Sequence, residues 1–275
     1  MIVASFLFAC MGVCVKLGAA QFSTAELVFY RGFVSVLMML AAARVQGMTL
    51  ATPHWRLQLS RSLSGSVALM GYFFAIGVLP LATAVTLSYT SPIFVALLLA
   101  LLFGERLRWP VLLSMLTGFG GVVLLLGPTL QADQWPGAVI GLGAGATASL
   151  AYISVRELGR VGEPVVRTVF WFSVVTSLLG LGWALGGEIH LPDGHGLALA
   201  LGVGLFGGLA QVAMTRSYRC GRTVVSASLS YSTVIFASLF GMLLWNEHLA
   251  LSAWLGIALI IASGIAVSLA ARTGH

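Results

Sequence analysis

Ten long apolar runs, separated by short polar connections, dominate this sequence. They cover approximately residues 2–19, 23–43, 60–79, 82–103, 110–127, 137–156, 166–186, 197–217, 223–244 and 251–271. Each run is about 20 residues long, the length of helix that crosses the hydrocarbon core of a bilayer. A chain in lipid must bond its own backbone groups, and the runs lack the alternation of β-strands. The sequence therefore predicts an all-α integral membrane protein with ten transmembrane helices.

The composition indicates that lipid surrounds nearly the whole chain. Hydrophobic residues make up 59% of the 275 residues and charged residues only 8%, whereas soluble domains contain about 25% charged residues. The ten runs leave no room for a separate soluble domain, so we expect no appended catalytic domain. The net charge of +6 is spread singly between the runs, so we expect no nucleic-acid partner.

The arginines fall on one side of the predicted membrane. If the chain starts in the cytoplasm, the cytoplasmic segments contain Arg44, Arg56, Arg61, Arg106, Arg108, Arg156, Arg160, Arg167, Arg216, Arg219, Arg222 and Arg272. The opposite connections contain no Lys or Arg, and they carry Asp133, Glu188, Asp193 and Glu247. Because short cytoplasmic loops are enriched in Lys and Arg, this pattern predicts that both termini are cytoplasmic.

The sequence contains an internal repeat. The tripeptide Leu87-Ser88-Tyr89 recurs as Leu229-Ser230-Tyr231, and Glu105 recurs as Glu247, each at an offset of 142 residues. A repeat of five helices is odd in number, so the second copy must enter the membrane from the opposite side. Inverted repeats of this kind are typical of secondary transporters that work by alternating access. The two predicted domains are the repeats themselves, 1–128 and 137–272.

Several short segments resemble motifs of the drug/metabolite transporter superfamily. They are Val15-Lys16-Leu17, Phe29-Tyr30-Arg31, Ser91 to Phe94 with Gly104-Glu105, and Ser232 to Phe236 with Asn246-Glu247. Over its whole length the chain resembles the EamA-type exporters, which have two five-helix repeats. The resemblance implies a bacterial inner-membrane exporter, with amino acids, including aromatic ones, as favoured substrates. The second repeat departs from the first, since Val234 replaces Pro92 and Phe172 stands where Arg31 would fall.

Hydroxyl-bearing residues recur at matching positions of the fourth and ninth runs. Ser88, Tyr89 and Ser91 lie in the fourth run, and Ser230 and Tyr231 lie in the ninth. Hydroxyls facing lipid are costly, so we expect these groups to face the interior of the bundle. One interpretation is a substrate site where the two runs cross. The alternative is hydrogen bonding between helices, a common use of Ser and Thr in membranes.

Pro92 is the only proline well inside a run. Its ring would displace the carbonyl of Ser88, four residues earlier. A freed carbonyl can bind an amine and a kink can act as a hinge, so we include Pro92 among the substrate-binding residues. The alternative is a packing kink whose carbonyl is satisfied by a neighbouring hydroxyl.

Aromatic residues also lie inside the runs. They are Tyr72, Tyr89, Tyr152, Trp171 and Tyr231. Together such rings could line a cavity with few fixed charges, which would attract ammonium groups through cation–π contacts. Gln211, in the eighth run, is a further predicted substrate-binding residue. The alternatives are core packing for each ring and bonding between helices for Gln211.

Three charged residues, Lys16, Glu26 and Arg31, lie within or just inside the runs. Charge in hydrocarbon is costly, so such residues usually carry a function or a partner. One interpretation is an ion pair between Lys16 and Glu26 near the outer ends of the first two helices. The other is that Lys16 or Arg31 binds a substrate carboxylate and that Glu26 couples transport to protons.

The fifth and tenth runs are rich in small residues and nearly devoid of polar ones. Gly118, Gly121, Gly256 and Gly264 are examples, and small residues allow close packing of helices in membranes. These runs are predicted to form a scaffold or the contact of a homodimer rather than a cavity. The cysteines and histidines show no spacing of a metal site, so we expect neither a metal nor another cofactor.

Three functions are compatible with these observations. The favoured one is a secondary transporter that exports amino acids or similar small polar metabolites by alternating access. A carrier of anionic metabolites, such as nucleotide sugars or sugar phosphates, would need several interior cations. An integral-membrane enzyme acting on lipids would need a cluster of His, Asp or Cys at a helix end, and the sequence shows none.

Overall fold

The computed structural model describes residues 1–79, 81–104, 109–127, 134–187, 192–245 and 250–272. These residues form twelve helices: α1 (Ile2–Gly18), α2 (Thr24–Val45), α3 (Trp55–Val78), α4 (Leu81–Ser88), α5 (Ser91–Phe103), α6 (Trp109–Leu126), α7 (Trp135–Arg160), α8 (Val165–Ala184), α9 (Gly194–Cys220), α10 (Thr223–Leu229), α11 (Ser232–Trp245) and α12 (Leu251–Arg272). Two pairs, α4 with α5 and α10 with α11, each form one interrupted span, so the helices make ten segments. The predicted all-α membrane fold with ten segments is confirmed.

The helices have the length and surface of membrane spans. Eight helical stretches in the described residues are long and apolar enough to cross a bilayer, and α1 is a shorter apolar helix. Large apolar side chains are exposed on them, such as Leu243 at 76% and Leu101 at 69%. A water-soluble protein would not expose so many leucines together, so lipid is the solvent of this surface.

The predicted runs agree with the observed helices except at a few points. The third helix, α3, begins at Trp55, five residues before the predicted run, so Arg61 lies in its second turn and not at its end. The fourth and ninth spans are interrupted, at residues 89–90 and 230–231. The predicted turn residues Arg106, Arg108 and Glu247 lie outside the described residues.

Local sequence explains where several helices begin and end. At the start of α2, the Ser23 side chain accepts a hydrogen bond from Glu26 N, and the Glu26 carboxylate accepts one from Ser23 N at 2.7 Å. This capping box satisfies two backbone N–H groups that the helix leaves unpaired. Helix α5 ends at Gly104, whose φ of 63° is a left-handed conformation that favours glycine.

The chain divides into two compact units, and each takes helices from both halves of the sequence. The first unit comprises Met1–Ser66 and Ser154–Cys220, and the second comprises Val67–Ile153 and Gly221–His275. Neither unit coincides with a predicted repeat. Helices α3 and α7 each contribute one end to the first unit and the other end to the second.

In the first unit, α2 packs mainly on α8 and α9, and α1 packs on α9. Glycines bring the backbones of α2 and α8 close together. A Cβ on Gly32 would lie 2.7 Å from Ser177 N, and one on Gly180 would lie 2.8 Å from Phe29 N. Larger residues would separate the two helices, so this pair is fixed by small residues, as is common in membranes.

In the second unit, the most extensive packing joins α6 and α12, the fifth and tenth spans. A Cβ on Gly121 would lie 2.7 Å from the Gly256 carbonyl oxygen, and one on Gly256 would lie 2.8 Å from Leu125 N. The small residues of these two spans therefore pack on each other within one chain. The homodimer contact predicted for the same spans stays a prediction.

Candidate functional site

Two interruptions of the helical backbone lie in the second unit at symmetry-related positions. Between α4 and α5, the Leu87 carbonyl accepts hydrogen bonds from Thr90 N at 3.1 Å and Thr90 Oγ1 at 2.6 Å. Between α10 and α11, the Leu229 carbonyl accepts a bond from Ser232 Oγ at 2.7 Å. Each residue of the second set follows its counterpart by 142 positions, so the two halves build the same interruption.

Pro92 lies just after the first interruption. Helix α4 stops at Ser88 and α5 begins at Ser91, with Pro92 in its first turn. Proline suits a first turn because the N–H that it lacks would be unpaired there. The roles of Pro92 as a hinge and in substrate binding stay predictions.

Helix α7 approaches the first interruption through a glycine. A Cβ added to Gly145 would lie 2.7 Å from Thr90 Oγ1 and 2.9 Å from the Leu87 carbonyl oxygen. No side chain fits there unless the interruption moves. At Gly143, two residues earlier in α7, an added Cβ would have no atom within 4 Å. The restriction is therefore specific to Gly145.

Four of the predicted tyrosines come together in the second unit. The rings of Tyr89 and Tyr231 lie 6.1 Å apart between centroids, and the Tyr89 hydroxyl hydrogen-bonds to Thr233. Tyr72 and Tyr152 lie near enough to Tyr89 to interact with it electrostatically. We call Tyr72, Tyr89, Tyr152 and Tyr231 the tyrosine cluster. Its members Tyr89 and Tyr231 lie one at each interruption, and Tyr72 and Tyr152 lie near Tyr89.

Tyr231 is the most enclosed member of the tyrosine cluster, with 0% exposure. A Cβ on Gly118 of α6 would lie 2.8 Å from its ring, so a glycine makes room for it. Within the described residues its hydroxyl has no hydrogen-bond partner. A buried hydroxyl of this kind is costly to leave unsatisfied, which makes it a candidate contact for a polar ligand.

The predicted serines differ in their hydrogen bonds and in their burial. Ser230 Oγ donates to the Ala227 carbonyl at 2.6 Å, which is a bond within its own helix end. Ser91 and Pro92 are buried, and Ser88 is half-buried. These residues lie at or beside the interruptions, and their role in binding stays a prediction.

A second polar site, in the first unit, surrounds the ring of Phe172. Arg61 is only 2% exposed, and its Cζ lies 4.2 Å from the centre of that ring. The Cζ of Arg31 lies 5.9 Å from the same ring centre. Arg31 and Phe172, which occupy equivalent positions in the two halves, therefore face each other. Cation–π attraction stabilises both guanidinium groups in this position.

A small cavity opens beside these side chains. It is lined by Arg31, Gly32, Ser35, Phe172, Ser173, Thr176, Gly207 and Gln211, and we call it, together with Arg61, the arginine cavity. Gln211 is 4% exposed, and its Nε2 has no hydrogen-bond partner in the described part of the chain. Thr176 and Ser66 hydroxyls lie 3.1 Å apart in the same region. The cavity thus combines positive charge with an amide donor.

The other two predicted charges lie near helix ends in the first unit. Glu26 is 2% exposed and belongs to the capping box of α2 described above. Lys16 is exposed and lies in the last turn of α1, where a cation interacts favourably with the helix dipole. Capping accounts for the position of Glu26, and its role in proton coupling stays a prediction.

Trp171 belongs to the first unit and not to the tyrosine cluster. Its indole Nε1 donates to the Leu50 carbonyl at 3.0 Å, which fixes the segment that follows α2. The neighbouring Arg167 donates to the Thr49 carbonyl at 2.8 Å through NH2. Trp171 therefore holds a connection in place, and its role in substrate binding stays a prediction.

Next to this connection, a buried carboxylate joins several helix ends. Glu163, 4% exposed, accepts bonds at 3.1 Å from Gln58 Nε2 and from Arg167 NH1. Arg219 NH1 donates to its backbone carbonyl, also at 3.1 Å. Burial alone would raise the pKa of Glu163, but hydrogen bonds from Thr52, Arg167 and Gln58 and the Arg167 charge lower it below its usual range. We call these residues the Glu163 network.

A family model described as the EamA-like transporter family matches this chain over residues 1–127 and 135–269. The chain belongs to this family. It is therefore an integral membrane transporter of the drug/metabolite transporter superfamily, and not an enzyme. The two matched segments correspond to one EamA-like repeat each.

Relatives of this EamA-like protein are named as transporters. The chain is 30% identical to an uncharacterized transporter of Helicobacter pylori strain J99, over 98% of this chain and 93% of that protein. It is 29% identical to the pseudopaline exporter CntI of Pseudomonas aeruginosa, over 97% and 94%. It is 26% identical to a riboflavin transporter of Rhizobium johnstonii, over 89% and 80%. A solved crystal structure shares the fold, with a TM-score of 0.87 over 98% of this chain and 96% of the other at 21% identity.

Sequence reasoning missed two parts of the EamA-like structure. It counted Arg61 among the cytoplasmic arginines, because Arg61 was only the second residue of the predicted third run. The sequence does indicate that Arg61 is inside a helix, because small residues surround this single charge from Ser60 to Ser66. It also missed Glu163, because a single carboxylate in a short connection has no pattern that distinguishes it from an exposed one.

Proposed function

We propose that this transporter exports amino acids or similar small polar metabolites by alternating access from a bacterial inner membrane, with both termini in the cytoplasm. The observation that carries the substrate class is the gathering of Tyr72, Tyr89, Tyr152 and Tyr231 at two equivalent interruptions of the backbone. The cluster offers aromatic faces and hydroxyls without a fixed charge. Aromatic faces attract ammonium groups, and hydroxyls hydrogen-bond to either end of a zwitterion.

The interruptions are suited to conformational exchange. A span broken into two short helices can change angle at the break with little loss of hydrogen bonding, because Thr90 and Ser232 already satisfy the carbonyls there. Discontinuous helices near the membrane midplane form the substrate sites of many transporters with inverted repeats. We infer that the tyrosine cluster binds the solute while the two interruptions change angle in turn.

The test is transport by the full-length protein reconstituted in liposomes. Uptake is measured for a panel of radiolabelled aromatic and aliphatic amino acids, sugar phosphates and nucleotide sugars, with and without an inward proton gradient. We expect saturable uptake of amino acids, and empty liposomes provide the background. Uptake of sugar phosphates with no uptake of any amino acid would contradict the proposed substrate class. A Glu26→Gln variant with unchanged response to the gradient would show that Glu26 does not couple protons.

A second candidate substrate class is supported by a specific observation. A carrier of anionic metabolites needs several interior cations, and the structure adds buried Arg61 to Arg31 beside one aromatic ring. We favour zwitterions because the tyrosine cluster has no such cation among its members, and a phosphate usually needs several charged donors. The same panel of substrates separates the two classes.

A further inference from the structure

We propose that the tyrosines at the two interruptions exchange hydrogen-bond partners during transport. In the present structure, Tyr89 bonds to Thr233, and Tyr231 has no partner among the described residues. In the opposite conformation, Tyr231 bonds to Ser91 and Tyr89 is released from Thr233. This inference rests on the alternating access of the proposed function and not on its substrate class.

The internal repeat relates these four residues in pairs. Tyr231 follows Tyr89 by 142 positions, and Thr233 follows Ser91 by the same offset. The repeat equivalent of a bond between Tyr89 and Thr233 is therefore a bond between Tyr231 and Ser91. All four residues belong to the second unit, and the two rings lie 6.1 Å apart between centroids.

The two tyrosines occupy different environments although they are repeat equivalents. The Tyr89 hydroxyl is hydrogen-bonded and its side chain is half-buried. Tyr231 is 0% exposed, and its hydroxyl has no partner in the described part of the chain. This asymmetry is what an inverted repeat shows in one state of alternating access, because its two halves then adopt different conformations. In the opposite state the two environments are exchanged.

The exchange keeps the number of hydrogen bonds constant. A buried hydroxyl without a partner is costly, and Tyr231 is in that position in the present structure. When Tyr231 gains Ser91, which is 6% exposed and is the first residue of α5, Tyr89 loses Thr233. One bond forms as its equivalent breaks. The two conformations therefore remain close in free energy, which lets a ligand shift the balance between them.

The experiment measures the two conformations by fluorine NMR of the full-length protein in lipid nanodiscs without any solute. A 3-fluorotyrosine is inserted at position 231 or, in a separate preparation, at position 89. The proteins compared are wild type, Ser91→Ala, Thr233→Val, the double variant with both changes, and Ser268→Ala. The last is the matched control, because Ser268 is also in the second unit and its Oγ donates to the Gly264 carbonyl of its own helix at 2.7 Å.

We expect the two single variants to move the conformational ratio in opposite directions, each by about fivefold, since each removes one hydrogen bond from one conformation only. The ratio is read from two signals or from one averaged shift, and both label positions should report the same change. The double variant should lie near wild type, and Ser268→Ala should match wild type. Movement of both single variants in the same direction, or signals that do not differ from those of Ser268→Ala, would overturn the proposal.

A double-mutant cycle separates a lost hydrogen bond from a disturbed fold. With the label at position 89, Ser91→Ala is made in the wild-type protein and in Tyr231→Phe. The ratio should change about fivefold in the first and not in the second, because Tyr231→Phe has already removed the partner hydroxyl. An equal change in both backgrounds would overturn the exchange.

The NMR signals also distinguish this inference from the proposed function, because no solute is present. Opposite changes in a protein that transports no amino acid would support the exchange and contradict only the substrate class. Amino-acid uptake by a protein whose signals do not respond would overturn the exchange and leave the substrate class intact.

Discussion

The tyrosine cluster and the arginine cavity arise from the sequence in opposite ways. The tyrosine cluster is built where the two halves agree, since Tyr89 and Tyr231 are repeat equivalents beside equivalent interruptions. The arginine cavity is built where they disagree, since Arg31 faces Phe172 at the equivalent position. The residues that recur thus lie at the interruptions, and the residues that differ bring two arginines to one aromatic ring.

This difference has a chemical consequence. The two recurring tyrosines are uncharged, whereas a charge buried twice in a membrane protein would be costly twice. Both arginines come from the first half of the sequence, and Phe172 contacts each of them by cation–π attraction.

The largest effect should come from removing the rings of the tyrosine cluster. Tyr89→Ala and Tyr231→Ala should each lower amino-acid uptake about tenfold or more, through lost cation–π attraction and a lost wall of the site. Tyr231→Phe should retain most uptake, because the ring remains. Fluorescence-detected size-exclusion chromatography checks folding and expression. Normal uptake in both alanine variants at normal expression would rule out the cluster as the substrate site.

A larger residue at Gly145 should disturb the first interruption without changing any member of the tyrosine cluster. Gly145→Ala places a Cβ against Thr90 and the Leu87 carbonyl, and overpacking of this kind costs about 1–3 kcal/mol. We expect a lower melting temperature and slower uptake than in Gly143→Ala, whose Cβ meets nothing. If the two variants behave alike, the first interruption does not constrain transport.

The Glu163 network should affect stability and not selectivity. Glu163→Gln loses the charge that Arg167 and Gln58 bind, at a cost of about 1–2 kcal/mol near neutral pH. The folded pKa of Glu163 is lowered, so its contribution is present above the unfolded pKa, about 4.3, and is lost as pH falls below it. Melting curves from pH 7 to acid should therefore converge for wild type and variant.

The control for that experiment is Glu157→Gln. Glu157 pairs with Arg160, whose side chain is 59% exposed, and exposed ion pairs contribute little. We expect almost no change in melting temperature for this variant. A Glu163→Gln curve parallel to the wild-type curve at all pH values would show that titration of Glu163 does not stabilise the fold.

The smallest effect should come from Trp171. Trp171→Phe keeps an aromatic ring and loses one hydrogen bond to the Leu50 carbonyl, which contributes about 1 kcal/mol. The melting temperature should fall slightly, and the relative uptake of different amino acids should not change. A changed order of substrates would contradict this expectation and would support the predicted role of Trp171 in substrate binding.

Much of the fold could be predicted because the membrane imposes a simple rule on the sequence. The length of the apolar runs predicted ten spans. The recurring Leu-Ser-Tyr tripeptide lies at the two positions where the spans are interrupted. The interruptions themselves were not predicted, because only the first half has a proline there and Val234 replaces Pro92 in the second. In both halves a hydroxyl, that of Thr90 or of Ser232, bonds to the carbonyl three residues earlier.

The candidate sites were predictable only in part. The tyrosines could be found as a group because interior hydroxyls are unusual, and Gln211 and Arg31 because interior polar groups are costly. Arg61 and Phe172 could not be assigned to a site, since their importance depends on how α2, α3 and α8 pack. The hydrogen bond from Trp171 to the Leu50 carbonyl could not be predicted for the same reason, because sequence position gives depth in a helix but not the neighbouring segment.

The most direct test of the account is a comparison of three analogues in three proteins. Uptake into liposomes is measured for phenylalanine, for phenethylamine, which lacks the carboxylate, and for 3-phenylpropionate, which lacks the amine. The proteins are wild type, Tyr231→Ala and Arg56→Gln, in which an exposed arginine is removed as a control. We expect Tyr231→Ala to lose its preference for compounds with an ammonium group, and Arg56→Gln to behave like wild type. If Tyr231→Ala lowers the uptake of all three compounds in the same proportion, the tyrosine cluster does not recognise the ammonium group.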